Sequence, residues 1–493
     1  SFSDNTGSCI LNQRCTMSEW FLVLYSVSPP QVNFIICQAV GLAAAFWFRR
    51  SLSPQRVSPA LRHAVATLLG VSFVIFCFGW YASHTFILTL SCYIILCKAS
   101  VHNVHWYSML VAVGYLTACQ ISRVFIFSYG ILSTDFSGPL MMITQKITTI
   151  AFQVHDGMCR KQEELTPEQR RLAVVTRPSL LEYLSYNLNF MSILVGPCSN
   201  YKDYIEFIEG RHVQSKLKRL REATCMIKLM PSFAPSQQAV CQKLLVCVGC
   251  MFWFFAITKS FPVTYTVDPE FLSQASFLRK LVYSLISLQA ARPKFYFAWT
   301  LADAIHNAAG YGISGVDEKG QVSWDLISNI RIWEIETATS YKAFIDNWNI
   351  QTGVWLKNVC YDRVPYYRTP LTFVLSALWH GVYPGYYFTF LTGIPVTLAA
   401  RAMRRNFRQY FLGSPTVKFA YDVVTWLATH LAICYTVAPF TLLAMEPTLE
   451  YYRSMYFYVH IISILAIIVL PSRPRSTKPE KHAQHSNNNV KGD

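Results

Sequence analysis

The stretch Leu371–Gly385, LTFVLSALWHGVYPG, decides how the rest of the chain is read. Leu371 to Trp379 has the pattern of an apolar helix. His380 closes it, and Gly381, Pro384 and Gly385 break it. The preceding loop, Asp362–Pro370, carries Arg363 and Arg368, which assigns it to the cytosolic side of a membrane. From Arg368 to His380 is 12 residues, about 18 Å of helix at ~1.5 Å per residue. The hydrocarbon core is roughly 30 Å thick. His380 therefore falls near the bilayer midplane, where an ionisable side chain is a functional candidate by default.

The composition demands a membrane for the whole chain. Its 493 residues are 53% hydrophobic and 14% charged. Several soluble domains of that total length would need about 25% charged residues. Intrinsic disorder and a small disulfide scaffold are excluded by the same figures. What remains is one large body whose surface faces lipid. The 43 Lys+Arg against 27 Asp+Glu give a formal charge of +16. The excess is clustered between apolar runs, as the positive-inside rule requires, so it does not point to nucleic acid. The same clusters could attract an anionic soluble substrate; composition does not separate the two roles. The 15 cysteines lie mostly within apolar runs, and Cys247–Cys250 lacks the further ligands a zinc site needs. Buried free thiols and no metal are expected.

Apolar runs mark spans at Val32–Phe48, Ala64–Tyr81, Thr85–Cys97, Trp106–Cys119, Leu180–Val195, Ala239–Ile257, Leu281–Ala290, Phe295–Ala309, Leu371–His380, Tyr386–Ala400, Phe419–Leu443 and Tyr452–Leu470. Counted against the ~20 residues of a straight span, they give an all-α, polytopic membrane protein of about eleven transmembrane helices. Several runs are short, which is the pattern of tilted or half-spanning helices around an internal chamber. The basic clusters Arg49–Arg62, Arg211–Arg221, Arg401–Arg408 and Arg473–Lys481 set the orientation: N-terminus lumenal, C-terminus cytosolic, an odd number of spans. Residues 1–30 form a lumenal segment with no assignment, and 472–493 a basic, disordered cytosolic tail. Residues 142–178, 199–236 and 315–365 read as amphipathic or loop segments. Ala343, Phe344, Asn347, Trp348, Gln351 and Trp355 have helical spacing.

The second candidate site is the run Asn347–Thr352, NWNIQT, amides among aromatics. Amides are costly in apolar surroundings unless satisfied, so the run either joins helices or serves a site. The same ambiguity holds for His380, because His430 and His460 have similar apolar surroundings and many intramembrane histidines only bond a neighbouring helix. The helix break beside His380 sets it apart. No His is followed five residues later by Asp, and GxSxG and the P-loop are absent. Asp303, His306, Glu334 and Glu336 are candidate transport residues, but they do not fall in matching halves.

SALWHGVYPGYY with the upstream NWNIQTGVWLK resembles the membrane-bound O-acyltransferases, and within them the lysophospholipid acyltransferase branch. The strings at 292–304 (RPKFYFAWTLADA), 324–329 (WDLISN), 336–349, 135–148 and 181–197 fit the same group. The likeness defines one domain over residues 31–471. It implies helices around a catalytic chamber and residence in the endoplasmic reticulum membrane. It places the family's histidine on His380 and its catalytic asparagine on Asn349. It implies acyl-CoA as co-substrate, with no permanently bound cofactor. The acceptor is a lysophospholipid, with lysophosphatidylethanolamine and lysophosphatidylserine favoured. In that reaction neutral His380 serves as general base, and Asn349 either donates to the oxyanion or orients His380. Arg331, Lys342 and Lys357 are candidates for the CoA phosphates by charge alone. A lipid transporter or scramblase using the same cavity is the alternative.

Overall fold

The computed structural model describes residues 29–125, 136–212, 233–316 and 322–470. The expected N-terminal segment and C-terminal tail, most of the Arg211–Arg221 cluster and all of Arg473–Lys481 lie outside them. The longer helices are α1 (Pro29–Ser51), α2 (Pro59–Phe78), α3 (Ala82–Lys98), α4 (Val104–Phe125), α5 (Ser137–Met158), α6 (Leu180–Leu188), α7 (Phe233–Thr258), α8 (Phe277–Ala290) and α9 (Pro293–Ala308). After them come the short α10 (Tyr341–Asn347) and α11 (Ile350–Leu356), then α12 (Arg368–His380), α13 (Pro384–Phe407), α14 (Pro415–Leu442), α15 (Met445–Ser454) and α16 (Tyr458–Val469). Among the described residues the only strands are Gly315–Val316 and Val322–Ser323, paired antiparallel.

The distribution of polarity is inverted relative to a soluble protein. Leu68, Leu110, Leu245, Val248, Phe252 and Ile468 are exposed on the outside, while Gln145, Lys146, Thr148 and Asp156 are buried. Lipid is the solvent that tolerates the first set, and mutual hydrogen bonding tolerates the second. By length and apolarity four stretches of the described residues can cross a membrane: Val32–Ser51, Pro59–Lys98, Ser236–Val267 and Pro415–Leu442. The pair α15–α16, bent by 71°, makes five if counted as one span. The expected figure of about eleven is not reached by this criterion. Two causes are visible. Pro59–Lys98 is a single 40-residue stretch holding α2 and α3. Others, such as α12 with 13 residues, are too short for a full core crossing of ~30 Å.

Two expectations are corrected. Leu180–Val195 is helical only to Leu188. The buried ammonium of Lys146 donates to the carbonyls of Tyr186 (2.9 Å) and Asn187 (3.4 Å), and the side chains of Asn187 and Asn189 bond main-chain carbonyls within α6. These contacts satisfy the helix end, so the chain turns there. The first part of the stretch 142–178, expected to be amphipathic or a loop, is a core helix. It forms α5, which is buried through most of its length.

One stripe of α5 explains why a polar helix belongs inside. The carbonyl of Met141 accepts from Trp379 Nε1 at 3.0 Å, and Gln145 Nε2 donates to Thr352 Oγ1 at 2.9 Å. Trp355 Nε1 donates to Thr148 Oγ1 at 2.8 Å. The guanidinium of Arg363 lies over the Phe152 ring at 5.0 Å and grips both oxygens of Asp156 at 2.6 Å. These positions repeat at three or four residues, which is one helix face. Each interhelical hydrogen bond contributes about 0.6 kcal/mol in membrane proteins. Removing one partner of a buried ion pair costs about 3–5 kcal/mol. The Asp156–Arg363 pair therefore dominates this face.

The helices form two apolar clusters. The first joins α1–α6 with part of α9 and includes Trp355 and Trp379. The second joins α8, α10 and α13–α16, with Trp348 packed against it. Asp156→Ala is expected to lower the melting temperature of the detergent-solubilised protein, followed by tryptophan fluorescence, well below that of Thr148→Val. Equal effects would contradict the dominance of the ion pair.

Candidate functional site

The run expected to be one helix is two. Between α10 and α11 the chain breaks at Trp348–Asn349, and Asn349 is left-handed, with φ 50° and ψ 51°. Asn is one of the few residues that adopts this conformation at low cost. That alone would justify an asparagine there without any chemistry. The break puts Trp348 against the second cluster and Trp355 in the first. Asn349 thus sits at the seam between them.

The loop 324–330 holds the break. Ile330 and Trp348 form an isolated antiparallel bridge. The main-chain oxygen of Asn329 accepts from Ile350 N at 2.9 Å, and its side-chain oxygen accepts from Gln351 N at 2.9 Å. Asn329 Nδ2 donates to Asn349 Oδ1 at 3.0 Å. Gln351 Nε2 donates back to the Leu326 carbonyl at 3.1 Å. Asn329 is buried, whereas Asn349 is only half-buried. Sequence reading gave Asn329 no role; it lies in the string WDLISN at 324–329, quoted only for its family likeness.

His380 is the last residue of α12, and Gly381 follows at φ 143°. The Nδ1 of His380 lies 2.7 Å from the carbonyl of Ser376, one turn back. A carbonyl only accepts, so in the neutral ring Nδ1 carries the proton and Nε2 keeps its lone pair. Phe390 and Phe440 pack against the ring at 4.8 and 5.3 Å between centroids, and Trp379 stands edge-on at 4.6 Å. His380 is half-buried, as a side chain open to a ligand must be.

Both candidates are tied to α5. Trp379, beside His380, bonds Met141, and Thr352, one turn from Asn349, bonds Gln145. Met141 and Gln145 are one turn apart, about 6 Å along the helix axis. The rings of Trp355 and Trp379 are 5.7 Å apart. The other histidines differ. His460 is held at both nitrogens, by Tyr435 Oη at 2.8 Å and Thr392 Oγ1 at 3.0 Å, which is a helix-to-helix rivet. His430 is fully buried, with Nδ1 3.5 Å from the Arg292 guanidinium.

The remaining candidates are dispersed. Asp303 Oδ2 accepts from both the Lys243 ammonium, at 2.7 Å, and Ser328 Oγ, and His306 Nδ1 bonds the Ala302 carbonyl at 2.7 Å. Glu336 pairs with Arg292 at 3.4 Å. The three cations suggested for phosphate contact each face a carboxylate: Arg331 with Asp325, Lys342 with Asp346, Lys357 with Asp362. Among the described residues no three His, Cys, Asp or Glu side chains converge as a metal site, and the described cysteines are unbridged. A surface hollow lined by Leu412, Pro415 and Phe419 holds neither His380 nor Asn349.

The body is helical with apolar outer faces, and the segments bearing His380 and Asn349 are both tied to α5. The model of the membrane-bound O-acyltransferase family (MBOAT) matches residues 121–438. The chain is 58% identical over 463 residues to membrane-bound glycerophospholipid O-acyltransferase 1 of Mus musculus, covering 94% of each. It is 54% identical over 454 residues to membrane-bound glycerophospholipid O-acyltransferase 2 of Homo sapiens, covering 92% of this chain and 87% of that one. Lysophospholipid acyltransferase 6 of Drosophila melanogaster is 40% identical over 474 residues, 95% of this chain and 65% of that one. The chain belongs to the membrane-bound O-acyltransferase family and is an O-acyltransferase.

Gly381 tests the geometry of the helix end. A Cβ there would lie 3.1 Å from the Tyr386 ring, on a backbone that L side chains rarely adopt. Gly381→Ala is expected to reduce acyl transfer at least ~10-fold, because a small misplacement of a reacting group can cost up to ~10²-fold. Activity per folded protein, measured after size exclusion, checks this; an unchanged rate would detach the helix break from the site.

Proposed function

We propose that the protein transfers an acyl group from acyl-CoA to the free hydroxyl of a lysophospholipid, with lysophosphatidylethanolamine and lysophosphatidylserine favoured. The acyl–sulfur bond breaks, an ester bond forms, and CoA–SH leaves. His380 Nε2 takes the hydroxyl proton as oxygen attacks the thioester carbonyl, then returns it to the departing sulfur. Asn349 donates its amide N–H to the oxygen that gains charge. No protein nucleophile is needed, since the thioester is already activated.

The observation that carries this reading is the Ser376 carbonyl on His380 Nδ1, which leaves Nε2 as the base. The relatives named as glycerophospholipid and lysophospholipid acyltransferases support the acceptor class. The basic ends of α1 (Arg49, Arg50) and α13 (Arg404, Arg405) support a cytosolic entry for acyl-CoA. We place the enzyme in the endoplasmic reticulum membrane, with a lumenal N-terminus and a cytosolic C-terminus. A site inside the membrane keeps water from the thioester.

Release of CoA thiol by purified protein, with and without lysolipid, is the test. Lysolipid-dependent release is expected in the wild type. His380→Ala and Asn349→Ala should each lose at least ~10²-fold while eluting as folded protein. Lipid movement without thiol release would favour a transporter or scramblase, and full activity of His380→Ala would sink the assignment.

A further inference from the structure

Asn349 can present either end of its amide to a ligand, and only the NH₂ end can stabilise an oxyanion. The surroundings settle which end is free. Gln351 N is a main-chain N–H and can only donate; it points at the Asn329 side chain at 2.9 Å. The atom it meets must be the oxygen of Asn329. The opposite end of the Asn329 amide is therefore NH₂, and it lies 3.0 Å from the Asn349 amide. The atom of Asn349 facing it must be oxygen. The NH₂ end of Asn349 is then turned away from Asn329, and it has no hydrogen-bond partner among the described residues.

We propose that Asn329 is a positioning residue that fixes the polarity of Asn349. One main-chain donor is relayed through two carboxamides, so that Asn349 offers a donor and not an acceptor to the reacting carbonyl. Asn329 also holds the left-handed break itself, through its main-chain bond to Ile350 N. The buried position of Asn329 keeps water from substituting for either of its ends. The inference rests on the reading of Asn349 as oxyanion donor.

The relay makes an inverted prediction about two substitutions. Asn329→Asp preserves size and still accepts from Gln351 N. Its carboxylate cannot donate to Asn349 Oδ1 and instead draws the Asn349 NH₂ toward itself, locking the acceptor end outward. Asn329→Ala removes both ends and leaves the Asn349 amide free to turn. A purely structural role ranks the isosteric Asp as the milder change. The relay ranks it as the harsher one for kcat. We expect Asn329→Asp to lower kcat on the order of 10²-fold, the loss of one oxyanion donor. We expect Asn329→Ala to lower it about tenfold or less, with KM for both substrates within about twofold of wild type in each variant. The melting temperature of Asn329→Asp should be no lower than that of Asn329→Ala.

Equal or higher kcat in Asn329→Asp than in Asn329→Ala overturns the relay. If Asn349→Ala keeps wild-type activity, the reading of Asn349 itself fails. If Asn349→Ala is inactive while Asn329→Asp stays above Asn329→Ala, only the relay fails. Should neither variant at 329 yield folded protein, a cryo-EM map of the wild-type enzyme with a non-hydrolysable acyl-CoA analogue decides. Asn329 and Asn349 amides within ~3.5 Å support the relay, and amides separated beyond that overturn it.

Discussion

A single face of α5 fixes the position of the segment from Thr352 to Trp379, which lies between the two proposed site residues. Met141, Gln145, Thr148, Phe152 and Asp156 follow one another up that face, and each holds a residue of the segment from Thr352 to Trp379. In lipid there is no water to satisfy a stray polar group, so these contacts are obligatory where a soluble protein would let them lapse. The segment that carries Asn349 and His380 is built of short helices and turns. It is ordered because a buried helix offers it a ladder of partners.

The surrounding halves have a different task. The apolar clusters on either side close the body against lipid, and the seam between them is where the polar atoms collect. Trp348 and Trp355 lie on opposite sides of that seam, with Asn349 between them. Large indoles serve well here because each buries much area and still offers one N–H, used by Trp355 and Trp379 to bond α5.

Much of this was legible from residues. The scarcity of charge, the apolar runs and the break after His380 gave the all-helical membrane body and singled out the histidine. Most of the core helix α5 was read as part of an amphipathic or loop segment because of its Thr, Gln, Lys and Asp. Only their partners, up to 207 positions away in sequence, show that they are inward-facing. Asn329 was invisible for the same reason, since its meaning depends on the direction of a main-chain N–H at Gln351. The break at Asn349 was hidden by helical spacing that continues across it. The apolar surroundings of His430 and His460 resemble those of His380, and only the helix break distinguished it in the sequence. Their partners in neighbouring helices separate them.

The hydrogen bond that sets the state of His380 comes from its own helix, four residues back. The rivet at His460 depends instead on α13 and α14 keeping their separation. A membrane enzyme that admits an acyl chain and a lipid must let its helices part and close again. Because the tautomer of His380 is written within α12, it travels with that helix as a unit. Breathing between helices then changes who can reach the imidazole without changing what the imidazole is.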